Sequence, residues 1–577
     1  MSYRRKKLLA LFFAMALSMT AVAGCTGAKS STGNVVSLET ETNAEETSAQ
    51  SEAGTFSSAD MFTERDLAGT YEESGAVYVT LSDDGIAGET DGVVIDGQMV
   101  TITAEGTYIF SGTLSEGQIV VDADNAKVQI VFDNVDITCA SSAAVYVKSA
   151  EKVFVTLAEG SQNTLRNTDE YVAIDDNNID AVIFAKSDLT LNGTGSLTII
   201  SAEGHGIVSK DDLKIIGGTY DITAAGHALS GKDSVRIADG TFILTAEKDG
   251  IHAENADDEE KGYIYIADGD FTITSDGDGM DASNIVQIED GTLDITAGGG
   301  AANSLKTHES DVPGGPGGGM PQNGEKPDGG SMPQMGEKPD GENMPQDTTT
   351  DESGTSTKGI KAGGGMYLNG GTYQIDSADD SIHSNANITI ADGTYTLATG
   401  DDGVHADDAL IVNGGTITVT ESYEGLEGLT VTINDGTIDI TASDDGINTA
   451  GEKMELNGGY IHILAGGDGV DSNGDLTING GEIYIDGPSD NGNSAIDYGD
   501  RSSAYVNGGT LVAIGSSGMA EGMSDSSKQK VLMVKLGEQM EAGNVVLTDS
   551  EGNVIVSYTA LKTYDCVIIS TAEVESG

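Results

Sequence analysis

The chain has 577 residues, and 94 acidic against 28 basic side chains give it a formal net charge of −66. This balance argues against nucleic acid and anionic membrane surfaces as partners, and it favours cations or ligands reached through cations. Only Cys25, Cys139 and Cys566 are present, which excludes a disulfide framework, although Cys139 and Cys566 could form one disulfide.

Residues 1–25 are predicted to be a lipoprotein signal peptide. The basic run at 4–7 precedes an apolar run at 8–17, and the sequence Val-Ala-Gly-Cys at 22–25 resembles a lipobox. The pattern predicts lipidation of Cys25 and a place at the extracellular face of the cell membrane. The membrane is then contacted through the lipid anchor only, because no other segment approaches the length of a span.

Two low-complexity segments follow along the chain. Residues 26–75 are rich in Ser, Thr and Glu and are predicted to form a flexible, solvated tether. Residues 308–356 hold seven of the eight prolines and the related sequences MPQNGEKPDG and MPQMGEKPDG. We expect this second segment to be a disordered loop that interrupts the body; a ligand-binding arm is the alternative.

The rest of the chain is organised by a repeat of about 22 residues. Each unit reads as short strand, polar bend, second strand, Asn-Gly-Gly or Asp-Gly turn and third strand. No helical segment is present to form βαβ units, and a propeller blade would need about twice this period. The pattern predicts an all-β fold, a right-handed parallel β-helix over 76–516. The turn glycines fall at Gly195, Gly218, Gly240, Gly269, Gly291, Gly371, Gly393, Gly415, Gly436, Gly459, Gly481 and Gly509.

The last segment, 517–577, departs from the repeat. Its strands KVLMVKL, NVVLTDSEGNVIVSY and CVIIST are typical of antiparallel pairing, with SEGN as a hairpin turn. They are predicted to form a small C-terminal β cap that covers the edge of the last coil. A monomer is expected. Tyr220, Tyr373 and Tyr395 fall at inward positions and are predicted to stack in the core.

Each unit also carries a segment of the form D-D-G-[IV]-[HDN], which stacking would align into columns. Two positions before the apolar residue stand His205, His227, Asp249, Asp278, Lys358, Asp380, Asp402, Glu424, Asp445, Asp468 and Ser494. One position after it stand Val208, Ser230, His252, Asp281, Lys361, His383, His405, Glu427, Asn448, Asp471 and Asp497. A leading Asp precedes some units at 379, 401 and 444, whereas Tyr423 and Gly467 replace it in others.

Carboxylates stacked about 5 Å apart repel by roughly 1 to 3 kcal/mol per pair, so the columns require a neutralising partner. Calcium accepts six to eight oxygen ligands and suits such a site. The alternative is that these Asp residues are turn formers that bond their own backbone, and both readings can hold together. A single His per coil and the lack of a Cys partner argue against zinc.

These repeats, together with the N-G-G-T turns, resemble the calcium-binding, β-helical carbohydrate-binding domain family of Gram-positive anaerobes, whose fold is similar to that of pectate lyases. The resemblance covers about residues 76 to 577 and implies binding of plant polysaccharides such as cellulose or polygalacturonate. It also implies calcium held between coils. The implied metal ligands are Asp278, Asp281, Asp379, Asp380, Asp401, Asp402, Glu424, Glu427, Asp444, Asp445, Asp468 and Asp471.

Three functions follow from this reading. The first is a non-catalytic, cell-surface polysaccharide binder. The second is a calcium-dependent, pectate-lyase-like enzyme, for which Lys306, Lys358 and Lys361 are the available bases beside the acidic columns. The third is a structural adhesin without a specific glycan. The absence of Trp disfavours a flat aromatic platform for cellulose and favours an acidic ligand bridged by calcium.

Overall fold

The computed structural model describes residues 55–88, 92–306, 356–499 and 501–574. The predicted signal peptide and most of the predicted loop at 308–356 lie outside these residues. Helical structure in the described part is limited to Ser58–Met61 (α1), Glu64–Leu67 (α2) and a 3₁₀ turn at Ala301–Asn303. Among the described helices, none has the length and apolar character needed to cross a membrane.

The body is a parallel β-helix, as the repeat predicts. In the regular coils three strands make one coil, and a strand pairs in parallel with the strand three places further along the chain; where two strands of a coil are joined into one long strand, the step is two places. Thr219 lies opposite Thr241, and Leu229 lies opposite Ile251, so the offset is 22 residues in both cases. Right-handed crossovers are the rule for connected parallel strands. The stacked coils form three long parallel sheets around one core.

The strands before the predicted loop include two early antiparallel pairings, after which the coils become regular. They are Val77–Leu81 (β1), Ala87–Gly88 (β2), Val93–Asp96 (β3), Met99–Ile102 (β4), Gly106–Leu114 (β5), Gln118–Asp122 (β6), Lys127–Thr138 (β7), Val145–Ser149 (β8), Lys152–Leu157 (β9), Gln162–Asn167 (β10), Ala181–Ala185 (β11), Asp188–Gly193 (β12), Ser196–Ser201 (β13), His205–Ser209 (β14), Asp212–Ile215 (β15), Thr219–Ala224 (β16), Leu229–Gly231 (β17), Ser234–Ile237 (β18), Thr241–Ala246 (β19), Ile251–Ala253 (β20), Tyr263–Ile266 (β21), Asp270–Ser275 (β22), Met280–Ala282 (β23), Val286–Ile288 (β24) and Thr292–Ala297 (β25).

The coils on the two sides of the predicted loop stack directly on each other, since Met280 pairs with Ile360 and Leu293 pairs with Tyr373. The second block of strands comprises Ile360–Ala362 (β26), Met366–Leu368 (β27), Thr372–Ser377 (β28), Ile382–Ser384 (β29), Ile388–Ile390 (β30), Thr394–Thr399 (β31), Val404–Val412 (β32), Thr416–Glu421 (β33), Leu426–Ile433 (β34), Thr437–Ala442 (β35), Ile447–Leu456 (β36), Tyr460–Ala465 (β37), Val470–Ser472 (β38), Asp475–Ile478 (β39), Glu482–Asp486 (β40), Ile496–Tyr498 (β41), Ala504–Val506 (β42) and Thr510–Gly515 (β43).

Alternation of apolar and polar residues builds the core. In β16 the inward residues Tyr220 and Ile222 are fully buried, while the alternate residues Thr219, Asp221 and Thr223 face solvent. Tyr220, Tyr373 and Tyr395 are all buried, which confirms the predicted core stack, and the Tyr373 and Tyr395 rings lie 4.5 Å apart. The turn before β16 needs a glycine, because Gly218 has a φ of 109°.

The C-terminal end is an antiparallel cap. Its strands are Val531–Met540 (β44), Asn544–Thr548 (β45), Val554–Thr559 (β46) and Tyr564–Ser570 (β47). β47 pairs antiparallel with β43 of the last coil and with β44, while β45 and β46 form a hairpin around the SEGN turn. β47 thereby covers the edge of one sheet. Cys139 and Cys566 are buried and free rather than joined.

The prediction of a flexible tether over 26–75 is wrong for its described end. Asp66 is fully buried, forms an ion pair of 2.6 Å with Lys152, and accepts a hydrogen bond from Thr190. The Phe56 ring lies 4.3 Å from the Tyr263 ring. The physical reason is that a few apolar residues in a Ser- and Glu-rich stretch suffice to dock it against the coils, and a composition average hides them.

Candidate metal centre

The D-D-G segments occupy one corner of every coil and align as the sequence predicts. The apolar residue of each segment stacks on that of the next coil, from Ile251 through Met280 and Ile360 to Ile496. We call the residues two positions before it the inner column and those one position after it the outer column. Each column therefore places side chains of neighbouring coils beside one another.

Inner-column acids use one carboxylate oxygen to bond the next coil. Oδ1 of Asp278 accepts from the backbone N–H of Lys358 at 2.7 Å, and Oδ1 of Asp402 accepts from that of Glu424 at 3.2 Å. Asp445 receives the N–H of Asp468 at 2.6 Å in the same way. The turn-former interpretation is therefore wrong for these three bonds, because each crosses to the neighbouring coil instead of remaining within its own turn.

The second oxygen faces the outer column, which supplies cations in the middle coils. Oδ2 of Asp380 lies 2.8 Å from Nδ1 of His383, and Oδ2 of Asp402 lies 3.1 Å from Nδ1 of His405. Lys361 pairs with Asp281 at 3.3 Å and Asp278 at 3.5 Å. These carboxylates already have histidine or lysine side chains as partners.

The leading acids 379 and 401 meet two buried lysines. Lys306 pairs with Asp379 at 2.7 Å and also with Asp401, while Lys358 pairs with Asp380 at 2.6 Å. Burial alone would lower the pKa of Lys306, but the carboxylates of Asp380, Asp401 and Asp379 outweigh it and raise the pKa. The two ammonium groups therefore stand where the sequence predicts a metal, and they neutralise this part of the columns.

Glu424 and Glu427 lie between the part of the columns whose carboxylates are paired with cations and the part whose carboxylates are not. Glu427 lies 3.1 Å from His405, and Glu424 accepts a hydrogen bond of 2.9 Å from Asn448. Burial, followed by repulsion from Asp402, raises the pKa of Glu427 to about 8. One histidine is here shared between Glu427 and Asp402.

Asp445, Asp468 and Asp471 form the most strongly unbalanced cluster, with carboxylate oxygens within 4.8 Å of one another. Within the part of the chain that the structure describes, no Lys or Arg forms an ion pair with them. Burial, then neighbouring carboxylates, raises the pKa of Asp445 to about 8 and that of Asp471 to about 6. Burial and the Asp471 charge likewise raise the pKa of Asp468 to about 7. We call these three residues the acid cluster.

Gly467 contributes to this cluster by having no side chain. A Cβ at this position would overlap the carboxylate oxygens of Asp444 and Asp445. In the sequence Gly467 stands where a leading Asp is missing, yet in the structure its lack of a side chain leaves room for the Asp444 and Asp445 carboxylates of the preceding coil. Oxygen-only donors, several negative charges and open space together fit calcium better than a softer metal.

Three histidines lie at the start of the same columns. His227 and His252 each place Nδ1 3.0 Å from Oδ2 of Asp249, although they come from neighbouring coils. Counting one His per coil was therefore an insufficient ground against zinc, since stacking brings two together. Their rings are nearly parallel, 12° apart at 4.1 Å, and together with Asp249 they form a further group whose possible metal-ligating atoms lie within 4.8 Å of one another.

The protein is thus a parallel β-helix with columns of acidic residues along one corner. A family model described as carbohydrate-binding domain-containing protein matches residues 96–403 and 400–548. The chain therefore belongs to this carbohydrate-binding domain family.

Two individual proteins are similar to the chain. A carbohydrate-binding domain-containing protein of Acetivibrio thermocellus is 40% identical over 139 residues, which are 24% of this chain and 49% of that protein. The chain thus matches about half the length of that relative. A solved structure described as a polysaccharide lyase-like protein from C. thermocellum, in a gadolinium derivative, is 36% identical with a TM-score of 0.38. That match covers 39% of this chain and 92% of the solved one.

Proposed function

We propose that the protein is a non-catalytic, cell-surface lipoprotein that binds plant-type polysaccharide with calcium held by the acid cluster. The observation that carries this proposal is the convergence of Asp445, Asp468 and Asp471, which form no ion pair with a Lys or Arg among the described residues, in a member of a carbohydrate-binding family. Stacked carboxylates whose pKa values are raised toward neutrality gain most from a divalent ion.

The ligand class follows from the chemistry of this corner. All three acids are only partly buried, so an ion bound by them would keep coordination positions open to solvent. A uronate carboxylate can occupy such a position, whereas the large aromatic side chains Tyr220, Tyr373 and Tyr395 are buried and offer no stacking face. These features favour polygalacturonate over cellulose.

Binding is favoured over lyase chemistry by the state of the lysines. A lyase base must give up its proton near neutral pH. Burial lowers the pKa of Lys358, but the surrounding Asp380 and Asp379 carboxylates outweigh this and raise it above the ordinary range. Burial likewise lowers the pKa of Lys361, but the Asp278 and Asp281 carboxylates outweigh this and raise the pKa. The lysines beside the columns therefore act as fixed counter-charges.

The test is retention on immobilised polygalacturonate and on cellulose, each with calcium and with EDTA, while absorbance of unsaturated products is followed in the ultraviolet. We expect retention on polygalacturonate that calcium strengthens, without product. Unsaturated product would overturn the non-catalytic assignment, and retention unchanged by EDTA would overturn calcium bridging.

The anchor is tested separately, because Cys25 lies outside the described residues. Cys25→Ser should move the protein from the membrane fraction to the soluble fraction of its host while leaving glycan retention unchanged. A variant that remains with the membrane would contradict anchoring through this cysteine.

A further inference from the structure

A column of lysines runs along the same corner of the helix in the early coils. Lys148, Lys186, Lys210 and Lys232 follow directly after strands whose registers place Val147, Ala185, Ser209 and Gly231 side by side. We call these four residues the lysine strip. The chain has only 28 basic residues, so a column of four lysines is unusual in it, and like charges in such a column repel one another.

The strip borders a cleft of about 250 Å³ lined by three lysines (Lys210, Lys232 and Lys248), three histidines, two serines and one acid, Glu254, which lies 3.4 Å from Nε2 of His252. His205, His227 and His252 stack in it at 4.9 and 4.1 Å. Nδ1 of His205 accepts the backbone N–H of His227 at 2.8 Å, and Nδ1 of His227 accepts that of Asp249 at 3.2 Å. The bond to His205 leaves its Nε2–H as a donor toward a ligand, whereas Nδ1 of His227 also lies 3.0 Å from Oδ2 of Asp249.

The ion pairs of the strip are exposed and weak. Lys232 contacts Asp257 at 2.8 Å, and the Asp257 side chain is 81% exposed, whereas Lys210 lies 4.0 Å from Asp180. Exposed pairs of this kind contribute little to stability and are readily exchanged for a ligand carboxylate. At physiological ionic strength the screening length is about 8 Å, so a ligand in the cleft interacts chiefly with these nearby cations.

We propose that the lysine strip and its cleft form a second, calcium-independent subsite for the carboxylated sugars of an anionic polysaccharide. The assignment rests on the proposed carbohydrate binding. Ammonium groups would receive the uronate carboxylates, and the Nε2–H of His205 and the Ser230 hydroxyl suit the sugar hydroxyls. The cleft is smaller than the ~300–1,000 Å³ of drug-sized sites, so it takes one or a few sugars of a longer chain.

The experiment compares wild type with the double variant Lys210→Gln/Lys232→Gln, and uses Lys453→Gln as a matched control at an exposed lysine paired with Glu455. Binding of de-esterified polygalacturonate is titrated in EDTA at several salt concentrations, with fully methyl-esterified pectin as the neutral probe. We expect the double variant to lose about tenfold in affinity and to show a shallower salt dependence. The control and the calcium-induced rise in Tm should be unchanged.

The outcomes separate this subsite from the proposed function. Wild-type binding that occurs only with calcium, or equal binding of the methyl ester, overturns the lysine subsite alone. Wild-type protein that binds no glycan in either buffer contradicts both. Equal capture by vesicles rich in phosphatidylglycerol, sensitive to the same double variant, would assign the strip to lipid headgroups and overturn the glycan assignment.

Discussion

Asp471→Asn should stabilise the protein in EDTA and destabilise it in calcium. The change removes one charge from the acid cluster, and its shape is tolerated because Asn448 already occupies the same column one coil earlier. At 4.8 Å, two carboxylates repel by about 1 kcal/mol in water and about 3 kcal/mol at a protein surface. Because the raised pKa values already keep part of this charge protonated at neutral pH, we expect a net gain of about 1–2 kcal/mol above pH 8.

Calcium reverses the sign of the effect. A ligand present at about 100 times its Kd stabilises the folded state by roughly 2.7 kcal/mol, and a variant that lacks one ligand carboxylate loses most of this. The assay is thermal unfolding followed by circular dichroism, in EDTA and in calcium. Asp294→Asn, at an exposed strand position outside the columns, is the matched control. Equal shifts of Asp471→Asn in both buffers would refute the role of the cluster as a metal site.

Three further perturbations test the columns. In EDTA, stability should fall as pH rises from about 6.5 to 8.5, because Asp445 and Asp468, with pKa values raised to about 8 and about 7, hold protons more tightly in the folded state than in the unfolded one; Asp445→Asn should flatten that slope in pH-dependent Tm measurements, and an unchanged slope would contradict the assignment. Lys306→Met should destabilise by about 3–5 kcal/mol in denaturant unfolding, since it leaves Asp379 and Asp401 facing each other; adding Asp401→Asn should recover part of the loss, and strict additivity would argue against the pairing. Gly467→Ala should weaken calcium binding at least tenfold in calorimetric titration, because its Cβ displaces the Asp444 and Asp445 carboxylates; Gly537→Ala, where a Cβ meets nothing within 4 Å, should bind as wild type does.

Much of this fold can be predicted from the sequence, because every coil repeats the same pattern of apolar and polar residues. The apolar residues that align Ile251 with Met280 and Ile360 are recognisable by their spacing, and spacing also sets the register of both columns. The buried tyrosine stack follows from the same alternation. Because the period is regular, residues that contact each other in neighbouring coils recur at a fixed spacing in the sequence, and this spacing predicts the coil.

Contacts that do not recur from coil to coil could not be predicted from the repeat. Lys306 reaches Asp401 across 95 residues of chain from a 3₁₀ turn outside the repeat, so no period indicates the pair. The docking of residues around Asp66 depends on single contacts with Lys152 and Thr190. The role of Gly467 depends on the space around a missing Cβ, which only the packed coils define.

The most direct test of the central claim is an equilibrium titration of the wild-type protein with polygalacturonate oligomers, with and without calcium, beside Asp471→Asn and Asp294→Asn. We predict that calcium raises the affinity of the wild-type protein and of Asp294→Asn for the oligomers at least tenfold, and that this gain disappears in Asp471→Asn. An affinity that calcium leaves unchanged, or a gain that survives in Asp471→Asn, would contradict calcium-assisted glycan binding at the acid cluster.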